Sequence, residues 1–124
     1  MSGESLPQII NSIQSRLVSS QREIGIVQAK MQNRQREAKA QNLTLRQLRE
    51  LEPGTRVYKS VGRMFLQDDL EHLIDETAKR EQAARDETEA LSKKHSIHEK
   101  QAVDAQSRLN DIVRSLEQQQ KQQQ

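Results

Sequence analysis

Along the first half of the chain, residues recur at alternating steps of four and three: Leu6, Ile10, Ile13, Leu17, Ser20, Ile24, Val27, Met31, Arg34, Ala38, Gln41, Leu45 and Leu48, ten of these thirteen being apolar. A mean step of 3.5 keeps one stripe facing a partner helix as two helices supercoil, so the spacing predicts a coiled-coil helix over 6–51. Ser5 is placed to cap it, and Pro7 falls in the first turn, where a missing N–H costs nothing. A second stripe with the same step runs through Leu70, Ile74, Thr77, Glu81, Ala84, Thr88, Leu91, His95, His98, Ala102, Ala105, Leu109, Ile112, Leu116 and Gln119, nine of fifteen apolar. It predicts a second helix over 68–118, with Asp68 and Glu71 as its capping signature and Asp69 favouring the positive end of the helix dipole. The Gln-rich tail over 119–124 has helix-compatible residues and no apolar stripe, so it is expected to fray.

Gly and Pro are confined to Gly3, Pro7, Gly25, Pro53, Gly54 and Gly62, leaving both stripes almost free of helix breakers. Between them, residues 52–67 hold a Pro-Gly turn, the chain's Tyr and Phe and several β-branched residues, a composition that suits two short strands, Thr55–Lys59 and Arg63–Leu66. Folding the helices back antiparallel about this segment brings the stripes into register, with Leu45 opposite Ile74, Val27 opposite Leu91, Leu17 opposite Ala102 and Ile10 opposite Leu109. The expected fold class is mainly α: a long antiparallel two-helix coiled coil with one β-hairpin between the helices, the whole of 1–124 forming one subunit. An isolated two-stranded hairpin is marginal in water and has two unpaired edges, so this one is expected to join hairpins of other subunits in a shared sheet or barrel. A disordered helix–helix loop is the alternative for this segment.

Composition supports an elongated or assembled protein. Of 124 residues, 31% are charged, 32% hydrophobic and 2% aromatic, too few large side chains for one continuous globular core. With no Cys, disulfides, a thiol nucleophile and thiolate-ligated metals are excluded. No run is long and apolar enough to span a membrane, and MSGESLPQIINS lacks the zones of a signal peptide; the expectation is a soluble cytoplasmic chain with no membrane partner. The net charge of +2 hides an asymmetry: residues 1–50 carry eight Lys or Arg against four acids, and residues 67–124 carry nine against thirteen. Oppositely charged segments suit each other better than a polyanion, so no nucleic acid is expected as a partner.

Candidate chemistry is sparse. His95 and His98 are spaced as two metal ligands would be, but they fall on stripe positions and no third ligand converges, so they are expected to be packed or partly solvated. Arg34, Arg36 and Lys39 form a basic cluster whose expected partners are Glu81, Asp86 and Glu87. Neither a phosphate-binding Gly-rich loop nor a nucleophile elbow is present, and the reading is of a non-enzyme with no cofactor and no metal.

The order helix, V-Y-K-S-V-G-R-M-F-L-Q-D-D over Val57 to Asp69, helix resembles a β-type prefoldin subunit, with Gly62 to Gln67 most like the subunit 1 branch. An α-type subunit would show two hairpins. The resemblance implies an ATP-independent heterohexameric co-chaperone of two α-type and four β-type subunits, so that this chain's partners would be two α-type and three further β-type subunits. It implies transfer of unfolded or nascent clients, of the actin and tubulin type, to a group II cytosolic chaperonin. The implied assembly residues are Val57, Tyr58, Val61, Gly62, Met64, Phe65 and Leu66. The implied client-binding tips comprise Leu6, Ile9, Ile10, Ile13 and Leu17 at the start of helix 1 and Leu109, Ile112, Val113 and Leu116 at the end of helix 2. The tips hold more apolar surface than one seam consumes; the alternative is that these residues simply close the coiled coil. The competing functional reading is a structural coiled-coil adaptor or spacer without chaperone activity.

Overall fold

A computed structural model describes residues 5–123 as α1 (Leu6–Arg49), β1 (Val57–Val61), β2 (Met64–Asp68) and α2 (Leu70–Gln123). It is mainly helical, with one small antiparallel sheet. The chain divides into two compact units: residues 30–90, which contain the sheet, and a second built from residues up to 29 together with those from 91 onward.

In the sheet-bearing unit, α1 and α2 lie side by side and antiparallel. Arg34 reaches Glu87 at 3.6 Å, and further along α1 the Asn42 side-chain amide donates to Glu81 at 3.0 Å. The stripe positions are the covered ones: Leu45, Thr77, Glu81 and Ala84 are buried, and Met31, Arg34, Ala38, Gln41, Leu48, Leu70, Ile74 and Thr88 are half-buried. Glu81 is the charged residue among the buried positions of this seam. Its carboxylate accepts from Asn42 and also meets Arg85 at 2.6 Å, so the buried charge is both paired and hydrogen-bonded. Asn42→Ala should therefore destabilise the chain by about 1–3 kcal/mol, because it strips a charged acceptor of a buried donor. Thermal unfolding followed by circular dichroism checks this, and an unshifted midpoint would show that Arg85 alone satisfies Glu81.

The other unit repeats the pattern. Ile13, Ser20, Val27 and Ala105 are buried, with Val27 only 1% exposed, while Ile10, Leu17, Ile24, Leu91, His95, His98, Ala102, Leu109 and Ile112 are half-buried. Both histidines sit in the seam as expected: His98 Nδ1 contacts Gln101 at 3.2 Å, His95 Nδ1 lies 3.5 Å from Glu99, and His95 Nε2 is buried without a hydrogen bond.

The element ends differ from the expected ones for local reasons. Ser5 does cap α1: its carbonyl accepts from Ile9 N–H and its own N–H donates to the Gln8 side chain, one arm of a capping box. α1 closes at Arg49, two residues early, with Glu50 and Leu51 donating back to Arg46 and Leu48. Glu52-Pro53-Gly54-Thr55 then forms a type II turn, with Gly54 at φ +85° and Thr55 N–H returning to the Glu52 carbonyl. That turn uses Thr55, so β1 starts at Val57 instead. Gly62-Arg63 makes the two-residue hairpin loop, and φ +61° at Gly62 alone fits a type II′ turn, which removes Arg63 from the second strand. Asp68 stays in the ladder opposite Val57, and Asp69, whose carbonyl accepts from Leu73 N–H, becomes the cap of α2. Finally, α2 does not fray at residue 118; it continues to Gln123. Gln and Lys are good helix formers, and no breaker follows Gly62.

Candidate functional site

Two apolar surfaces stand out, one on the hairpin and one at the ends of the helices remote from it in sequence. The ladder pairs Val57 with Asp68, Tyr58 with Gln67, Lys59 with Leu66, Ser60 with Phe65 and Val61 with Met64. Paired residues share a face, so Val57, Lys59, Val61, Met64 and Leu66 line one side and Tyr58, Ser60, Phe65 and Gln67 the other. Val57 is buried. Phe65 is 72% and Met64 64% exposed, and Tyr58, Val61 and Leu66 are exposed as well. Apolar side chains thus face outward on both sides of the sheet, and its two strands leave an open backbone edge on each flank. Such a surface is matched to burial against other chains.

A charged cluster ties this hairpin to α2. Lys59 Nζ on β1 lies 3.0 Å from Glu76, which also receives Arg80 at 2.8 Å, and Asp68 at the end of β2 lies 2.8 Å from His72 Nδ1. Sequence reasoning missed this cluster, although the four-residue spacing of Asp68, His72, Glu76 and Arg80 was there to be read. Asp68, His72 and Glu76 form the one group of convergent metal-type ligands among the described residues, their ligand atoms within 4.8 Å of one another. Lys59 and Arg80 already supply the cationic partners of Glu76.

The hydrogen bond to Asp68, reinforced by that carboxylate's charge and by Glu76, raises the His72 pKa above its ordinary 6.5. Hydrogen bonds from His72 and from the Asp69 N–H hold Asp68 below its ordinary 3.8, and the hydrogen bond from Lys59 is the main reason Glu76 lies below 4.5. The His72 contribution to stability is fully present below pH 6.5 and is lost as pH rises through its elevated folded value; the Asp68 contribution is present above pH 3.8 and is lost as pH falls through its depressed one. In an NMR titration, Asp68→Asn should bring the His72 inflection back toward 6.5. An inflection that does not move would remove Asp68 as its cause.

At the helix ends, the structure spreads the nine tip residues over a range of burial. Leu6, Val113 and Leu116 are exposed; Ile9, Ile10, Leu17, Leu109 and Ile112 are half-buried; Ile13 lies inside the seam. Val18, next to Leu17, is also exposed. The basic cluster on α1 resolves partly as expected: Arg34 pairs with Glu87, whereas Glu81 is held by Asn42 and Arg85, and Asp86 accepts from Gln82.

Two long helices joined by a single apolar hairpin define a class of assembling coiled-coil subunits. The prefoldin subunit family model matches residues 11–116. Over 115 residues the chain is 30% identical to the probable prefoldin subunit 1 of Schizosaccharomyces pombe, covering 90% of this chain and 99% of that protein. It is 22% identical over 110 residues to prefoldin subunit 1 of Danio rerio, covering 89% and 90% respectively. The crystal structure of the prefoldin beta subunit from Thermococcus strain KS-1 superposes with a TM-score of 0.80 at 17% identity, over 89% of this chain and 96% of that one, and shows the same fold.

The chain belongs to the prefoldin family, and its single hairpin makes it a β-type subunit with its sequence similarity among subunit 1 proteins. Prefoldins are non-enzymatic chaperones whose subunits interact with one another and deliver clients to chaperonins. Among the described residues, no helix is long and apolar enough to cross a membrane.

Proposed function

We propose that this chain is one β-type subunit of a cytoplasmic heterohexamer containing two α-type and three further β-type subunits. In that assembly the hairpin, Val57 to Leu66, would contribute strands to an intersubunit β-barrel, burying Tyr58, Val61, Met64, Phe65 and Leu66. The helix ends would bind unfolded or nascent clients of the actin and tubulin type and pass them, without ATP, to a group II chaperonin. The observation that carries this reading is the hairpin's outward apolar surface on both faces, which the chain alone leaves in water. Exposed Leu6, Val113 and Leu116 support the client-binding part. Several weak apolar contacts from separate arms give useful avidity while each releases quickly, as handing over a client requires.

Native mass spectrometry of the tagged chain purified from its own cytosol, followed by dissociation, tests the assembly. Six small, distinct subunits in single copy are expected. A lone homodimer, or one large unrelated partner, would overturn it in favour of a coiled-coil adaptor, for which deleting residues 57–66 would leave oligomerisation intact.

A further inference from the structure

Apolar packing alone does not fix the hairpin on its own chain. Val57, its first residue, is buried, but Tyr58 and every residue from Ser60 to Gln67 are exposed, so apolar contact holds the sheet at one end only. That hold is non-directional and leaves a two-stranded ladder free to swing about its base. The bond from Asp68 to His72 does not change this, because Asp68 lies opposite Val57 and secures the same end.

Lys59 supplies the missing direction. It lies two residues beyond Val57 on the same face of β1, is half-buried, and its ammonium reaches both carboxylate oxygens of Glu76 on α2, at 3.0 and 3.4 Å. Two holds on one face, one apolar and one ionic, set a tilt that neither sets alone. The helix side of the pair is itself prepared: Arg80, one turn further on, donates to Glu76 Oε1 at 2.8 Å and orients the carboxylate. The Glu76 side chain is 25% exposed, so solvent screens this contact less than it screens the neighbouring, largely exposed pair of Lys79 and Asp75. Ion pairs that remain partly in water add little to the stability of a chain. Orientation is another matter, since a surface that arrives already positioned loses less freedom on association.

We propose that Lys59 and Glu76 are positioning residues for assembly: their ion pair fixes the tilt of the hairpin on α2, so that its strands meet a neighbouring subunit already oriented. The inference rests on the hairpin being the joint between subunits, and it adds a residue of the helix to that joint.

The test is a dilution series of the chain with its co-expressed partner subunits, read by analytical ultracentrifugation. Glu76→Gln keeps the size of the side chain and removes its charge; Lys59→Met keeps the stem and removes the ammonium. Each is expected to weaken assembly by about fivefold, and the double variant by no more than either, since losing one partner already frees the hairpin. Lys59→Arg, which retains a charged donor, should assemble as the unaltered chain does. So should Asp75→Asn, which removes the acid paired with Lys79. Because the chain has no Cys, spin labels at Arg63→Cys and Gln82→Cys report the tilt directly, and the distance distribution between them should broaden in Glu76→Gln. An unbroadened distribution would mean that packing already sets the tilt, and losses that multiply in the double variant would mean that Lys59 acts on the neighbour itself. Either result overturns the proposal, as does an equal loss in Asp75→Asn. Full assembly by Glu76→Gln beside lost assembly by the Met64→Asp, Phe65→Asp pair overturns it and leaves the joint standing, whereas assembly retained in both removes the joint as well.

Discussion

A chain carrying Met64→Asp and Phe65→Asp should keep its helices and lose its partners. The two positions lie on opposite faces of the sheet, so the pair of substitutions places a charge on each. Both side chains are largely in water in the chain alone, which means that its own stability does not depend on them, and its helical circular dichroism and melting midpoint should be nearly unchanged. In an assembly the same positions would be buried. Each substitution there forfeits about 1.5–3 kcal/mol of apolar burial and adds the desolvation of a carboxylate, enough together to weaken association by more than about a hundredfold. Analytical ultracentrifugation with the co-expressed subunits reads this directly. Retained assembly would mean that the hairpin is not the joint.

The second large effect separates two residues that the sequence alone treats as equivalents. Ile13→Asp should melt the unit that contains it, because Ile13 is only 7% exposed and an unpaired carboxylate there costs about 3–5 kcal/mol. Leu116→Asp should leave the fold intact, since Leu116 is exposed and follows the last covered stripe residue, Ile112. If the helix ends bind clients, Leu116→Asp combined with Val113→Asp should reduce suppression of client aggregation several-fold with assembly preserved. Loss of activity from Ile13→Asp would say nothing about client contact. A functional assay on the exposed pair does, and full activity in that variant would move the client surface elsewhere.

The seam was legible because it is periodic. Every stripe position from Ile10 to Leu48 and from Leu70 to Ile112 is at least half-buried, including the polar Ser20, Arg34, Thr77 and Glu81. Pattern reading succeeds there since 3.5-residue spacing is itself the physical cause of the packing. What was not legible depended on which of two local hydrogen bonds wins. Thr55 could have joined a strand but closes a turn onto Glu52, and Asp68 could have capped α2 but stays in the ladder and leaves that role to Asp69. The exposed apolar hairpin residues followed from composition, whereas the pairings of Lys59, Asp68, His72 and Glu76 needed coordinates.

The extension of α2 to Gln123 has a thermodynamic consequence. Beyond Ile112 its residues are exposed as far as residue 122, so this stretch is held by backbone hydrogen bonds and intrinsic propensity alone. Its amides should exchange with deuterium far faster than those around Val27, and its helicity should decline on warming well before the seam melts. A client that covers Val113 and Leu116 would then bind a segment it must also hold in order. Capture would become steeply enthalpic and weaken with temperature, giving the end of the helix a release setting independent of any nucleotide.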